Sequence, residues 1–144
     1  MKKIAVKRSD GGVSIIVPTN EATPALLLRD ALAVVGYVSH REIEDNKIPT
    51  DRYFRNAWTD DNPTTTVDVD ITKAKDIKKN YMRQLRKPKL EALDIEFMKA
   101  LETGDTQAQS SIAAKKQELR AVTDLSLPET VEELKAFLPL CLKN

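Results

Sequence analysis

Cysteine occurs once in this chain, at Cys141, and histidine once, at His40. A lone cysteine closes no intramolecular disulfide and supplies no CxxC motif, which excludes a disulfide scaffold and a paired-thiol redox centre. One histidine with only a distant cysteine assembles neither a zinc site nor a nucleophile–base pair, so His40 reads first as a surface residue. Aromatic residues are 5% of the chain, and aliphatic side chains must therefore carry most of any core. Long apolar runs are missing too. The stretch from Leu26 to Val35 is broken by Arg29 and Asp30 and falls short of the roughly 18 residues that a membrane span needs, so no membrane insertion is expected. Lys7 and Arg8 interrupt the apolar stretch after the basic start at Met1-Lys2-Lys3, so no export signal is expected either, and a reducing compartment such as a cytoplasm fits a single thiol.

What is present suits a folded chain. Of 144 residues, 41% are apolar and 31% charged, enough for one compact domain or a small sheet with a helical extension. Ile4 and Val6, then Val13, Ile15 and Val17, alternate about Ser9-Asp10-Gly11-Gly12, which predicts a β-hairpin over 3–17. Thr23 is placed to cap a helix over about 24–35, with Pro24 at its first position and Gly36 closing it. Its apolar stripe is Leu27, Leu28, Ala31, Leu32 and Val35, expected to lie on the sheet. Residues 37–51 suggest a short strand and then a loop. Tyr53 to Thr59 and Thr65 to Val69 are rich in β-formers around the turn composition Asp60-Asp61-Asn62-Pro63, which predicts a second hairpin with Phe54 and Trp58 on one strand face and Val67 and Val69 on one face of the other.

At Asp70 the period of apolar residues changes from two to about 3.6. Asp70 can cap a helix whose stripe is Ile71, Ala74, Ile77, Tyr81 and Leu85. Pro88 should bend that helix or make it stop and restart, with Leu90, Leu93, Phe97 and Leu101 continuing to Gly104. Thr106 with Gln109 has the spacing of a capping box, and Ala108, Ile112, Leu119 and Val122 mark a return helix packed antiparallel on residues 90–102. Thr130 with Glu133 opens a last short helix carrying Val131, Leu134 and Phe137 or Leu138, ended by Pro139. The fold class expected is α+β: a small domain with two hairpins and one helix over 1–69, then a helical hairpin and C-terminal helix over 70–144.

Four features offer chemistry. Residues 73–89 carry eight lysines and arginines against Asp76 alone, and within them Lys75, Lys79 and Arg83 are spaced by four along one face. Such a row would suit phosphate tracking, yet the whole chain is only +1 and no aromatic or glycine-rich partner accompanies the row except Tyr81, which the apolar stripe places in the core. A solvated face, or one meeting an acidic protein, is the commoner explanation. Asp60, Asp61, Asp68 and Asp70 lie close in sequence but match no calcium loop, and turn and cap duties account for them. Cys141 sits between Leu140 and Leu142, as a packed thiol would. Phe54 and Trp58 would serve as an apolar partner-binding anchor if exposed, or as core if buried. Neither catalytic residues, cofactor nor metal ligands can be assembled from these parts.

Several strings then resemble small proteins encoded beside bacteriophage tail-fibre genes. They are Arg52-Tyr53-Phe54-Arg55-Asn56-Ala57-Trp58, Pro88-Lys89-Leu90 through Leu93-Asp94, Lys116-Gln117-Glu118-Leu119-Arg120, and Pro128-Glu129-Thr130 through Pro139. Together they span about residues 52–139, and the pattern is similar to phage tail assembly chaperones. Where such proteins often end in a tryptophan–proline segment, this chain has Phe137-Leu138-Pro139. The resemblance implies a non-enzymatic role in the virion or host cytoplasm, binding tail or tail-fibre proteins as an assembly chaperone or staying as a small tail component. Phe54, Trp58, Lys75, Lys79 and Arg83 are then the expected partner-binding residues. The alternative is a nucleic-acid-binding or packaging accessory protein using the basic helix 73–89. An uneven apolar surface on the open side of the helical hairpin would suggest a homo-oligomer, unless the chain covers it with its own sheet.

Overall fold

The computed structural model describes residues 2–62 and 65–144, and the fold is α+β. The chain divides into two compact units, 1–74 and 75–144. In the first, strands β1 (Lys3–Arg8), β2 (Val13–Ile16) and β3 (Tyr37–Ile43) form an antiparallel sheet in the order β2-β1-β3. The β1–β2 turn closes as its residues dictate. Gly11 takes a positive φ of 79° and Asp10 accepts a hydrogen bond from the Gly12 amide at 2.8 Å.

The central strand is covered on both faces, so Ile4, Ala5 and Val6 are all buried. Helix α1 (Pro24–Leu32) packs Leu27 and Ala31 on Ile4 and Val6, while Ala5 joins Val13, Ile43, Trp58 and Val67 on the opposite face. Thr23 caps α1 as expected, accepting from the Leu26 amide. The helix is shorter than the sequence suggests, and its stripe divides. Leu28, Leu32 and Val35 stay exposed, because a nine-residue helix on a three-stranded sheet turns only one row of side chains to that sheet.

The second hairpin is where expectation and structure part. Arg55–Ala57 forms a 3₁₀ turn, and strands β4 (Trp58–Thr59) and β5 (Asp68–Val69) pair over two residues each. The reason lies in where the backbone groups go. The Ala57 amide bonds back to the Phe54 carbonyl at 2.8 Å, and the Val67 amide reaches the Lys47 carbonyl at 2.9 Å instead of the facing strand. Phe54 and Trp58 therefore do not share a strand face, although both are buried. Pro63, one of the expected turn residues, lies outside the described residues.

Helix α2 (Ile71–Glu102) starts on Asp70, which accepts from the Thr72 and Lys73 amides, and it runs through Pro88 without stopping. Losing one backbone bond there is tolerated because Leu85, Leu90 and Leu93 pack into one cluster with Met82, Leu119, Val122 and Leu142, tying both sides of the proline to the same core. The buried face is rotated from the expected stripe. Lys78, Met82 and Ala100 are buried, whereas Tyr81 and Leu101 are exposed.

Gly104, at φ 67°, ends the reversal, and α3 (Thr106–Ala121) returns antiparallel, with Lys116 paired to Asp94 and Gln109 donating to the Ala100 carbonyl. Its cap is Asp105, one residue before the expected Thr106, since the Asp105 carboxylate accepts from the Ala108 amide. Helix α4 (Val131–Ala136) opens on Thr130, accepting from the Glu133 amide, and buries Leu134 completely. No described helix is long and apolar enough to cross a membrane.

Candidate interaction surfaces

The basic row on α2 is spent more on folding than its spacing suggests. Lys75 is ion-paired with Glu129. Lys78, 2% exposed, donates from Nζ to the Lys135 carbonyl at 2.8 Å and lies 5.4 Å from the centre of the Tyr81 ring. Burial lowers its amine below the ordinary lysine value of 10.5, because the charged form loses its water. Arg86 donates to the Arg120 carbonyl at 2.9 Å. Of the three expected binding cations, Lys75 is held in its ion pair, Lys79 is half-buried, and Arg83 is exposed with a bond to Asn80. Arg83 and Lys87 are the exposed cations of this segment.

The expected aromatic anchor is not presented. Phe54 is 2% exposed and Trp58 3%, and Trp58 reaches the surface only as one wall of an open groove of about 330 Å³ that Lys3, Ile15, Ile48 and Arg52 also line. Trp58 packs in the sheet core, and its buried indole N–H has no acceptor among the described residues. The ring's apolar area outweighs the single unmet bond, which costs about 1–3 kcal/mol.

Of the four aspartates, Asp70 keeps the expected cap duty, whereas Asp60 and Asp61 pair with cations distant in the chain. Asp60, 7% exposed, accepts two hydrogen bonds from Arg41 at 2.9 and 2.8 Å. Asp61 pairs with Lys7 at 2.9 Å, and that lysine holds its carboxyl below the usual carboxylate range. Asp68 accepts from the Thr66 hydroxyl, and Asp70 caps α2. Among the described residues no group of three or more histidine, cysteine or acidic side chains is placed to hold a metal ion. His40 is exposed with Nδ1 2.9 Å from the Tyr37 hydroxyl, and burial followed by the Glu118 charge pushes the Cys141 thiol up, opposite to what a nucleophile requires.

Uncovered apolar surface is what remains. In the first unit Leu28, Leu32, Val35 and Val38 are 46%, 53%, 91% and 53% exposed. Of these, Leu28 lines an open groove of about 300 Å³ together with Pro24, Leu27, His40, Arg41 and Glu42. In the second unit Ile95, Met98 and Leu101, spaced by three along α2, are all more than half exposed. Sequence reasoning placed Leu28, Leu32, Val35 and Leu101 in the core. The structure gives the reason on α1: the helix is only nine residues long and turns the row 27/31 to the sheet, which leaves Leu28 and Leu32 outside. No family model, curated protein or solved structure matches this chain.

Proposed function

We propose that this chain is a non-enzymatic bacteriophage tail protein that acts by binding other proteins, either as a tail or tail-fibre assembly chaperone or as a small component of the virion tail. The observation that carries the binding role is the row Ile95, Met98 and Leu101 on α2, because apolar surface left uncovered beside exposed charge is what protein partners bury. The tail setting rests on the resemblance of the strings between residues 52 and 139. Arg83 and Lys87 on the same helix would steer an acidic partner toward that row. Phe54 and Trp58 have no contact role in this reading. The nucleic-acid alternative has fewer free cations than the row of eight promised, with Lys75, Lys78 and Arg86 already bonded within the fold.

Affinity capture of the tagged chain from phage-producing cells, with and without nuclease and at two salt concentrations, tests the reading. Recovery of tail or fibre proteins that resists nuclease, and that is lost in Ile95→Lys/Met98→Lys, is the expected result. Recovery that disappears with nuclease or salt makes phosphate contacts the better account.

A further inference from the structure

The two edges of the three-stranded sheet are not alike. β2 is four residues long and Pro18, which has no amide hydrogen to give a ladder, follows it closely. β3 is seven residues long, holds neither proline nor lysine, and faces no strand on its outer side among the described residues. From Val38 to Ile43 no backbone group bonds outside the sheet, again among the described residues. An edge left in this state is a template for another strand, and proteins normally block such edges with shortness, proline or charge. β2 carries both shortness and proline; β3 has neither, and its own blocks are the charges of Arg41 and Glu42 and a register shift where it pairs with Lys7 and Arg8.

We propose that β3 pairs antiparallel with β3 of a second copy of this chain, joining two sheets into one across a two-fold axis. The strand is its own complement. A two-fold register keeps even-numbered side chains of both copies on one face, and one such register sets His40 opposite Glu42 of the second copy, twice by symmetry. On the other face Arg41 meets its symmetry mate. That encounter is compensated, because each guanidinium is already held by two hydrogen bonds to its own Asp60. Val38 lies on the His40 face, and Leu28 lines the groove beside His40 and Glu42 with Leu32 one turn further along α1, so apolar side chains flank the seam. A seam of one strand with this flank is small beside stable interfaces, which bury about 1,200–2,000 Å² in total, so the dimer is expected to depend on concentration. The pairing does not depend on the tail reading.

Sedimentation equilibrium of the purified chain from about 1 to about 200 μM should show a monomer of 16.2 kDa passing to twice that mass. Hydrogen exchange at the two ends of that range should slow the Val38–Glu42 amides only in the dimer. Glu42→Lys should weaken the dimer about tenfold or more by removing the carboxylate that faces His40 of the second copy and adding a cation beside Arg41, and adding His40→Glu, which sets a carboxylate opposite the new lysine, should restore it. Both side chains are exposed, so circular dichroism should stay unchanged and separate lost pairing from lost fold. A chain that remains monomeric throughout overturns the proposal. So does a dimer whose β3 amides exchange equally fast at both concentrations, or one that tolerates Glu42→Lys.

Discussion

The two units of this chain differ in how they hold their most buried cation, although both also carry ion pairs, such as Lys116 with Asp94 in the second. In the first, ionic groups that approach the interior meet a partner of opposite sign, as Arg41 meets Asp60 and Lys7 meets Asp61. In the second, the buried Lys78 amine donates to a backbone carbonyl, and burial pushes its pKa down. Pairing offsets the desolvation of a buried charge, and where desolvation is the largest influence, as at Lys78, pH can relieve it. The first unit is thus pinned by long-range pairs and the second by a helix face that tolerates an amine because its carbonyl partner is in place.

The largest effect expected is from Trp58→Ala. Emptying the centre of the sheet core should cost about 3–5 kcal/mol. The lone tryptophan makes the companion experiment informative, because in the unmutated chain its fluorescence reports the first unit while helical circular dichroism reports mainly the second. Leu134→Ala, at a fully buried site, should cost about 2–4 kcal/mol and lower the circular-dichroism midpoint in denaturant. If fluorescence and dichroism midpoints in Leu134→Ala fall by the same amount, the units unfold as one and the contrast between them is structural only.

Asp60→Asn comes next. It leaves Arg41 without its bidentate acceptor in a half-buried setting and should cost about 2 kcal/mol, read as a shift of the denaturation midpoint. Lys78→Met is the smallest at neutral pH, within about 1 kcal/mol, since an apolar chain of similar length replaces a buried amine. Its pH dependence is the sharper readout. The folded chain holds the Lys78 proton less firmly than the unfolded chain does, so the unmutated protein should gain stability as pH rises toward 10.5, and Lys78→Met should lack that gain. Equal slopes in both proteins would mean that the amine is as well solvated in the fold as outside it.

Much of the architecture was legible in the residues. The Ser9–Gly12 turn, the caps at Thr23, Asp70 and Thr130, and the reversal at Gly104 are local devices, and each forms where its chemistry stands in the chain. Two local readings failed for local reasons. Asp105 took the cap expected of Thr106, and the β-rich run around Phe54 closed into a 3₁₀ turn because the Ala57 amide found a nearer carbonyl. Exposure was read least well. Phe54 and Trp58 turned inward, and the aliphatic residues assigned to the core at Leu28, Leu32 and Leu101 turned out, because periodicity states that a helix has a face but not how wide a face its neighbours can cover.

By itself the sequence determined the α+β class, the order of elements and most of their ends, since caps, turns and hydrophobic period act over a few residues. Tertiary structure alone decided which side of α2 is inside, that Lys78 is buried, that Arg41 finds Asp60, and that β1 is central with β2 and β3 at the edges. Those outcomes depend on groups nineteen or more residues apart meeting in space, as Arg41 and Asp60 do, and on the limited area one element can cover on another. No short window of sequence contains either quantity.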